Sequence, residues 1–295
     1  MTTRDKNGDR IALGWLVPCL RAPKLDESLA FYEHIGFQLT GGKPANGWAT
    51  LSAGSVELAL MSFLPQTLLN FRGGPIAALA DHFARAGLEP LTTSNESGSE
   101  NIGYRPYDVS KYPSEYHCAP DGKVLDVSQS GDFSLRDPDG NSLYFDTVPV
   151  ERQRFVNGER FASERTTSAK VKPPFHYEDS TFVLKVGSLG ASAAYYQKLG
   201  FEPAAIHNDR EQINLVRNAA VPARIGLIAR GDSREYLRLD ALQFDELFQV
   251  LSADSSLAAS APALDRSGRR ALHLVDPAGN EIVVREATLA DSSAH

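Results

Sequence analysis

The stretch Leu25–Phe37, LDESLAFYEHIGF, returns as LGASAAYYQKLGF at Leu189–Phe201. A duplicated unit governs every later inference, so the repeat is read first. In both copies small and aromatic residues recur at three- and four-residue spacing, and a glycine precedes the final Phe. That is the pattern of a short amphipathic helix stopped by a residue that accepts the left-handed conformation. An alternating strand precedes each helix, WLVPCLRA in the first copy and STFVLKVG in the second. A second landmark closes each copy: FSLRDPDGNSLYF at Phe133–Phe145 and LHLVDPAGNEIVV at Leu272–Val284. Asp-Pro-x-Gly-Asn between two alternating runs is turn chemistry, because proline presets φ while Gly and Asn tolerate positive φ.

Further short alternating runs lie between the landmarks, GWATLSAG, VELALMSF and TLLNFRG in copy one and EQINLVR, RIGLIAR and EYLRLDA in copy two. Each copy has one more helix, IAALADHFARAGL or LQFDELFQVLSA. The order is therefore βαβββ twice per copy, with a faint sixth strand. Alternate strand residues point to opposite faces, so a helix on one face leaves the other to form a concave surface. The expected fold is α+β: two tandem domains of paired βαβββ modules, each a cupped mixed sheet, at residues 11–150 and 174–288, with a charged, proline-punctuated linker at 151–173. Phe37 to Asp137 spans 100 residues but Phe201 to Asp276 only 75, so copy one carries an insertion, at about 95–132. Its Tyr104, Tyr107, Tyr112, Tyr116, His117 and Cys118 suggest a lid over the first cup, set against a plain surface loop.

The 295 residues give room for two domains. No apolar run reaches the length of a membrane span, and MTTRDKNGDRIA lacks the apolar core of a signal peptide, so a soluble, cytoplasmic protein is expected. Cys19 and Cys118 are too far apart in sequence for a C-x-x-C pair and read as free thiols. The net charge of -7 is spread along the chain without a basic run, which argues against a nucleic-acid partner.

The S-L-A-F-Y…Gly-Phe and D-P-D-G-N motifs resemble the vicinal-oxygen-chelate superfamily, which includes glyoxalase I, extradiol dioxygenases, fosfomycin-modifying enzymes and bleomycin-binding proteins. The resemblance implies metal-ligand positions on the first, fourth, fifth and last strands. In copy one these fall on Val17, on Glu57 or Ala59, near Leu68, and on Tyr144. In copy two they fall on Thr181, near Gly226, near Arg234, and on Val283. A catalytic divalent metal wants about three His, Asp, Glu or Cys ligands. No metal or other cofactor is therefore expected, and the metal chemistries of the superfamily drop out. Glu115, His117 and Cys118 could form an unrelated site if the insertion folds over the cup, although their spacing matches no zinc motif.

If Val17 and Thr181 face the cups, the two-residue period carries Cys19 and Arg21, and likewise Val183 and Lys185, onto the same face. The same parity places Asn70 and Arg72, and Tyr236 and Arg238, facing inward, with Trp48, Tyr144 and His273 on weaker alignment. Aromatic walls with a few cations suit a small-molecule pocket, Arg21 and Arg72 for an anion and Trp48 or Tyr144 for a planar ring. The bland alternatives are snorkelling strand arginines and core aromatics. His273 has a cavity address and Cys19 sits near a cation, so both are candidates for catalysis. The expected function is metal-independent binding of a small molecule, of the bleomycin-resistance type, an antibiotic-resistance protein sequestering an aromatic or anionic compound. The alternatives are a metal-independent isomerase, lyase or hydrolase, and a degenerate structural or partner-binding module. A monomer or homodimer is expected, and which copy carries the function is left to assays of the separate domains, copy two as degenerate scaffold being one option.

Overall fold

The computed structural model describes residues 12–93, 100–159, 161, 175–206, 212–217, 223–229, 234–253, 262–265 and 268–287. The first module is β1 (Gly14–Arg21), α1 (Leu25–His34), β2 (Gln38–Lys43), β3 (Trp48–Ala53) and β4 (Val56–Met61). The second is β5 (Leu68–Gly73), α2 (Ile76–Arg85), β6 (Leu91–Thr93), β7 (Glu100–Ile102), β8 (Arg105–Pro106), β9 (Gly131–Arg136) and β10 (Ser142–Thr147), and a helix follows, α3 (Pro149–Val156). Copy two runs β11 (Tyr177–Lys185), α4 (Leu189–Lys198), β12 (Glu202–Ile206), β13 (Gln212–Arg217), β14 (Ala223–Ile228), then β15 (Tyr236–Ala241), α5 (Phe244–Ala253), β16 (Ala263–Leu264), β17 (Arg270–Val275) and β18 (Glu281–Glu286). This is the βαβββ order read from the repeat, with the short β7 and β8 contributed by the insertion. The faint strands are indeed short, three residues in β6 and two in β16.

The strands form a ten-stranded sheet, β2-β3-β4-β1-β5-β10-β9-β6-β7 with β8 beside β9, and an eight-stranded sheet, β12-β13-β14-β11-β15-β18-β17-β16. β1 is parallel to β4, β5 to β10 and β15 to β18. The glycines read as helix stops do take positive φ, 98° at Gly36 and 89° at Gly200. On one face of β5, β9 and β10 the rings of Phe71, Phe145 and Phe133 stack at centroid distances of 4.8 and 4.7 Å, and Phe83 of α2 meets them edge-on. Asn70, Arg72, Tyr144, Asp146 and Asp132 therefore share the opposite face. Among the described residues no helix is long and apolar enough to cross a membrane.

The chain packs as two compact units. One takes the chain up to Val17 with 68–161 and 186–230; the other takes 18–67, 162–185 and 231–295. Each unit thus combines one module from each copy, and the two repeated landmarks meet inside each. In the first unit the buried Tyr196 hydroxyl of α4 donates to Asp137 Oδ2 at 3.1 Å. In the second, the buried Tyr32 hydroxyl of α1 donates to Asp276 Oδ2 at 3.3 Å. The Asp of each Asp-Pro-x-Gly-Asn turn also accepts the Asn backbone N–H, at 2.9 Å for Asn141 and 2.8 Å for Asn280. One carboxylate so closes its own turn and anchors a helix of the other copy. Tyr177 adds a second tie, its ring stacked on Phe37 and its hydroxyl donating to the Ile35 carbonyl at 2.6 Å.

The segment expected as a linker opens as helix, since α3 continues into it as far as Val156. Proline at the first helical position presets φ, and Glu151 accepts the Val148 N–H at 3.3 Å, so the helix start is capped.

Candidate ligand site

In the first unit the face opposite the phenylalanine stack carries a row of charge. Arg72 lies beside Asp146, and Asp146 beside Asp132, in the strand register. Arg72 reaches Asp146 at 3.3 Å and Glu151 of α3 at 2.7 Å; Arg105 of β8 holds Asp132 at 2.8 Å. Burial, foremost, raises the Glu151 and Asp132 carboxyls, with Arg72 and Arg105 opposing it. The Tyr144 hydroxyl is pushed upward by burial and by Asp146 and Asp132. Trp15 of β1 meets Phe155 of α3 edge-on at 5.0 Å and Phe161 at 5.7 Å, and its Nε1 donates to the Glu159 carbonyl at 3.1 Å. Arg72 lies 5.3 Å from the Phe161 ring centre. Arg72, expected to hold a ligand anion, is paired with two carboxylates of its own chain, Asp146 and Glu151. Asn70 is buried on the same face, its Oδ1 without a hydrogen-bond partner.

The described part of the insertion packs on this helix, through the turn Ser114–Tyr116. Tyr107 stacks on Tyr112 at 4.8 Å, and its hydroxyl lies 3.3 Å from His117 Nδ1. Burial and then the neighbouring Tyr112 push the Tyr107 hydroxyl up to about 12. Cys118 bridges to Val124 in an isolated pair.

In the second unit, Arg238 on β15 is buried and donates from Nη2 to Thr181 Oγ1 on β11 at 2.7 Å. Asp240 receives Arg285 through two bonds of 2.7 and 2.8 Å, and Arg238 Nε lies 3.8 Å away. Burial pulls the Arg238 guanidinium down, and Asp240 opposes it. Val283 is the register partner of both Arg238 and His273. His273 shares their face but is exposed, so it has no enclosed cavity address. The catalytic reading of Cys19 fares no better: the thiol is buried, and its register partner is Ala59. Arg21 and Trp48 are half-buried at opposite ends of their strands.

The cavity of the second unit lies at the ends of β11, β15 and β18. It measures about 390 Å³. Its apolar floor includes Leu20, Phe182 and Leu237, and Lys185, Arg234, Glu235 and Glu281 bring charge to the wall beside Tyr236. Lys185 and Tyr236, expected as ligand residues, line it together with Glu235 and Leu20, which the sequence alone did not single out; Leu20 belongs to the other copy. Thr67 and Asn280 form a rigid wall: Thr67 Oγ1 donates to Asn280 Oδ1 at 3.3 Å, and Asn280 Nδ2 donates to the Arg21 carbonyl at 2.9 Å. Burial raises the Glu235 carboxyl.

No family model matches the chain, and no curated protein is significantly similar to it. Solved structures are similar in fold. The halotolerant catechol dioxygenase BphC and a catechol 2,3-dioxygenase each superpose with a TM-score of 0.56 at 13% identity, over 94% of this chain and 86% and 87% of theirs. The Mn(II)-bound glyoxalase from Novosphingobium aromaticivorans also gives 0.56, at 14% identity, over 92% of this chain and 80% of its own. This chain has the vicinal-oxygen-chelate fold, in tandem. Identity at that level speaks for the fold alone, and the chemistry has to come from the residues. The metal positions of the vicinal-oxygen-chelate fold are a poor fit here. Val17 and Val283 offer no lone pair, and Thr181 already accepts from a guanidinium, whose charge repels a cation. Among the described residues no group of three or more His, Cys, Asp or Glu is placed to hold a metal ion.

Proposed function

We propose that this vicinal-oxygen-chelate protein binds a small molecule without a metal, and that the second unit, where strands of copy two meet Leu20 and Thr67 of copy one, holds the site. The observation that carries the reading is the cavity of about 390 Å³ with an apolar floor and Lys185 and Tyr236 on its wall. Apolar lining with a few placed charges is the composition of small-molecule sites, whose volumes run from about 300 to 1,000 Å³. The second module of copy one is scaffold, because α3 and Phe161 cover the face on which its Arg72 and Asn70 stand. Sequestration in the cytoplasm, as in bleomycin resistance, suits a site that binds and does not turn over. Neither the exposed His273 nor the buried Cys19 lines the cavity, so neither is placed to act on a ligand there as a general base or nucleophile.

Thermal unfolding of the full chain against a panel of small anions, zwitterions and aromatics, with elemental analysis, tests this. A binder raises the midpoint saturably by mass action, and Lys185→Ala should abolish the shift. One equivalent of a divalent metal whose removal abolishes binding would overturn the metal-free reading.

A further inference from the structure

Resting on that reading, we propose that the cavity takes a free α-amino acid with an apolar side chain, bound as its zwitterion. The wall carries charge of both signs. Lys185 and Arg234 supply two cations, Glu235 and Glu281 two carboxylates, and the floor of Leu20, Phe182 and Leu237 is apolar. A ligand anion alone would meet the carboxylates, and a ligand cation alone would meet the lysine and arginine. A neutral apolar ligand would leave the Glu235 carboxylate desolvated and unmatched, which is costly for a charge removed from water. A molecule with an ammonium and a carboxylate on one carbon, and an apolar group beyond, answers all three features. The Arg234 to Glu281 contact, at 3.7 Å, is longer than a hydrogen bond, so both groups retain capacity for a ligand. Asn280 and Thr67, tied to each other and to Arg21, shape the wall and leave recognition to the charged groups. The ammonium is assigned to Glu235, the half-buried carboxyl, and the carboxylate to the exposed Lys185 and Arg234 at the rim. A peptide lacks one of the two charges at any single α-carbon and is excluded by the same logic.

Calorimetric titration of the full chain with L-leucine, 4-methylpentanoate and 3-methylbutylamine reads the charge requirement directly. L-leucine should bind saturably, and each single-charge analogue at least about tenfold more weakly, the loss of one charge-assisted contact. Glu235→Gln should weaken L-leucine by about tenfold and bring 4-methylpentanoate to equal or better affinity, since a repelling carboxylate is gone. The unfolding midpoint of that variant, unchanged for a residue at the cavity wall, separates lost recognition from lost folding. Equal binding of L-leucine and 4-methylpentanoate by the unaltered chain, or L-leucine affinity untouched by Glu235→Gln, overturns the assignment. If L-leucine fails while another compound binds in a Lys185-dependent way, the amino-acid assignment falls and the small-molecule reading stands. If nothing binds at all, both fall.

Discussion

The two junctions between helix and turn are built on one plan and finished differently. In the first unit Asp139 adds to the Asp137 anchor: its Oδ1 accepts the Gly187 N–H at 2.7 Å and its Oδ2 the Ser192 hydroxyl at 2.8 Å. In the second unit the repeat puts Ala278 where Asp139 stands, Pro23 where Gly187 stands and Ser28 where Ser192 stands. Proline has no N–H to satisfy, so the missing acceptor costs nothing there. The buried Ser28 Oγ, however, is left without a hydrogen-bond partner. The difference teaches that the duplicated frame is kept by the Tyr-to-Asp bond, while the positions around it have been free to diverge. The sheet faces show a sharper divergence. The row Arg72, Asp146, Asp132 in copy one corresponds to Asp240, Arg285, Ala271 in copy two, so cation and anion have changed places. Copy one closes its row with Glu151 from α3, whereas copy two closes its own within the sheet.

The largest test of this comparison is to separate the copies. Residues 11–150 or 174–288 alone keep one member of each Tyr-to-Asp pair, Tyr32 with Asp276 and Tyr196 with Asp137, and lose the other. Each fragment should lack a cooperative urea transition by near-UV circular dichroism. A half that unfolds as sharply as the whole would break the idea that the copies complete each other.

Within the sheet faces, Asp240→Ala strands the buried Arg285 and Arg238 and should destabilise by about 3–5 kcal/mol, the cost of an uncompensated buried charge. Glu151→Ala leaves Arg72 with Asp146 and should cost less, about 1–3 kcal/mol. Urea midpoints of the two variants decide, and the reverse order would mean that α3 contributes more than the strand pairing.

At the junctions, Asp139→Ala should cost about 1–3 kcal/mol by leaving the Ser192 hydroxyl and Gly187 N–H unmatched. Ala278→Asp should add about 0.5–1 kcal/mol by giving Ser28 an acceptor near the start of α1. Thermal melts of the pair would sharpen the comparison, and a destabilised Ala278→Asp would show that the second junction has closed around its alanine.

The smallest effect concerns pH. Asp132 and Glu151 are raised in the folded chain, chiefly by burial. The fold therefore holds their protons more readily than the unfolded chain does. Their contribution to stability is fully present below the ordinary carboxyl range and is lost as pH rises through the raised folded values. Urea unfolding from acid to neutral pH should show this decline, and Asp132→Asn should flatten it; an unchanged slope would remove Asp132 from the account.

The sequence by itself determined the duplication, the βαβββ order, the glycine stops and the aspartate turns, because periodicity and turn chemistry are local properties of consecutive residues. Tertiary structure alone decided that each helix is anchored by the other copy's turn, that α3 satisfies Arg72, and that Leu20 floors a cavity beside Lys185. Those are contacts between segments far apart in the chain, 59 residues for Tyr196 with Asp137, 79 for Arg72 with Glu151 and 244 for Tyr32 with Asp276. No periodic pattern encodes which buried charge will find which partner.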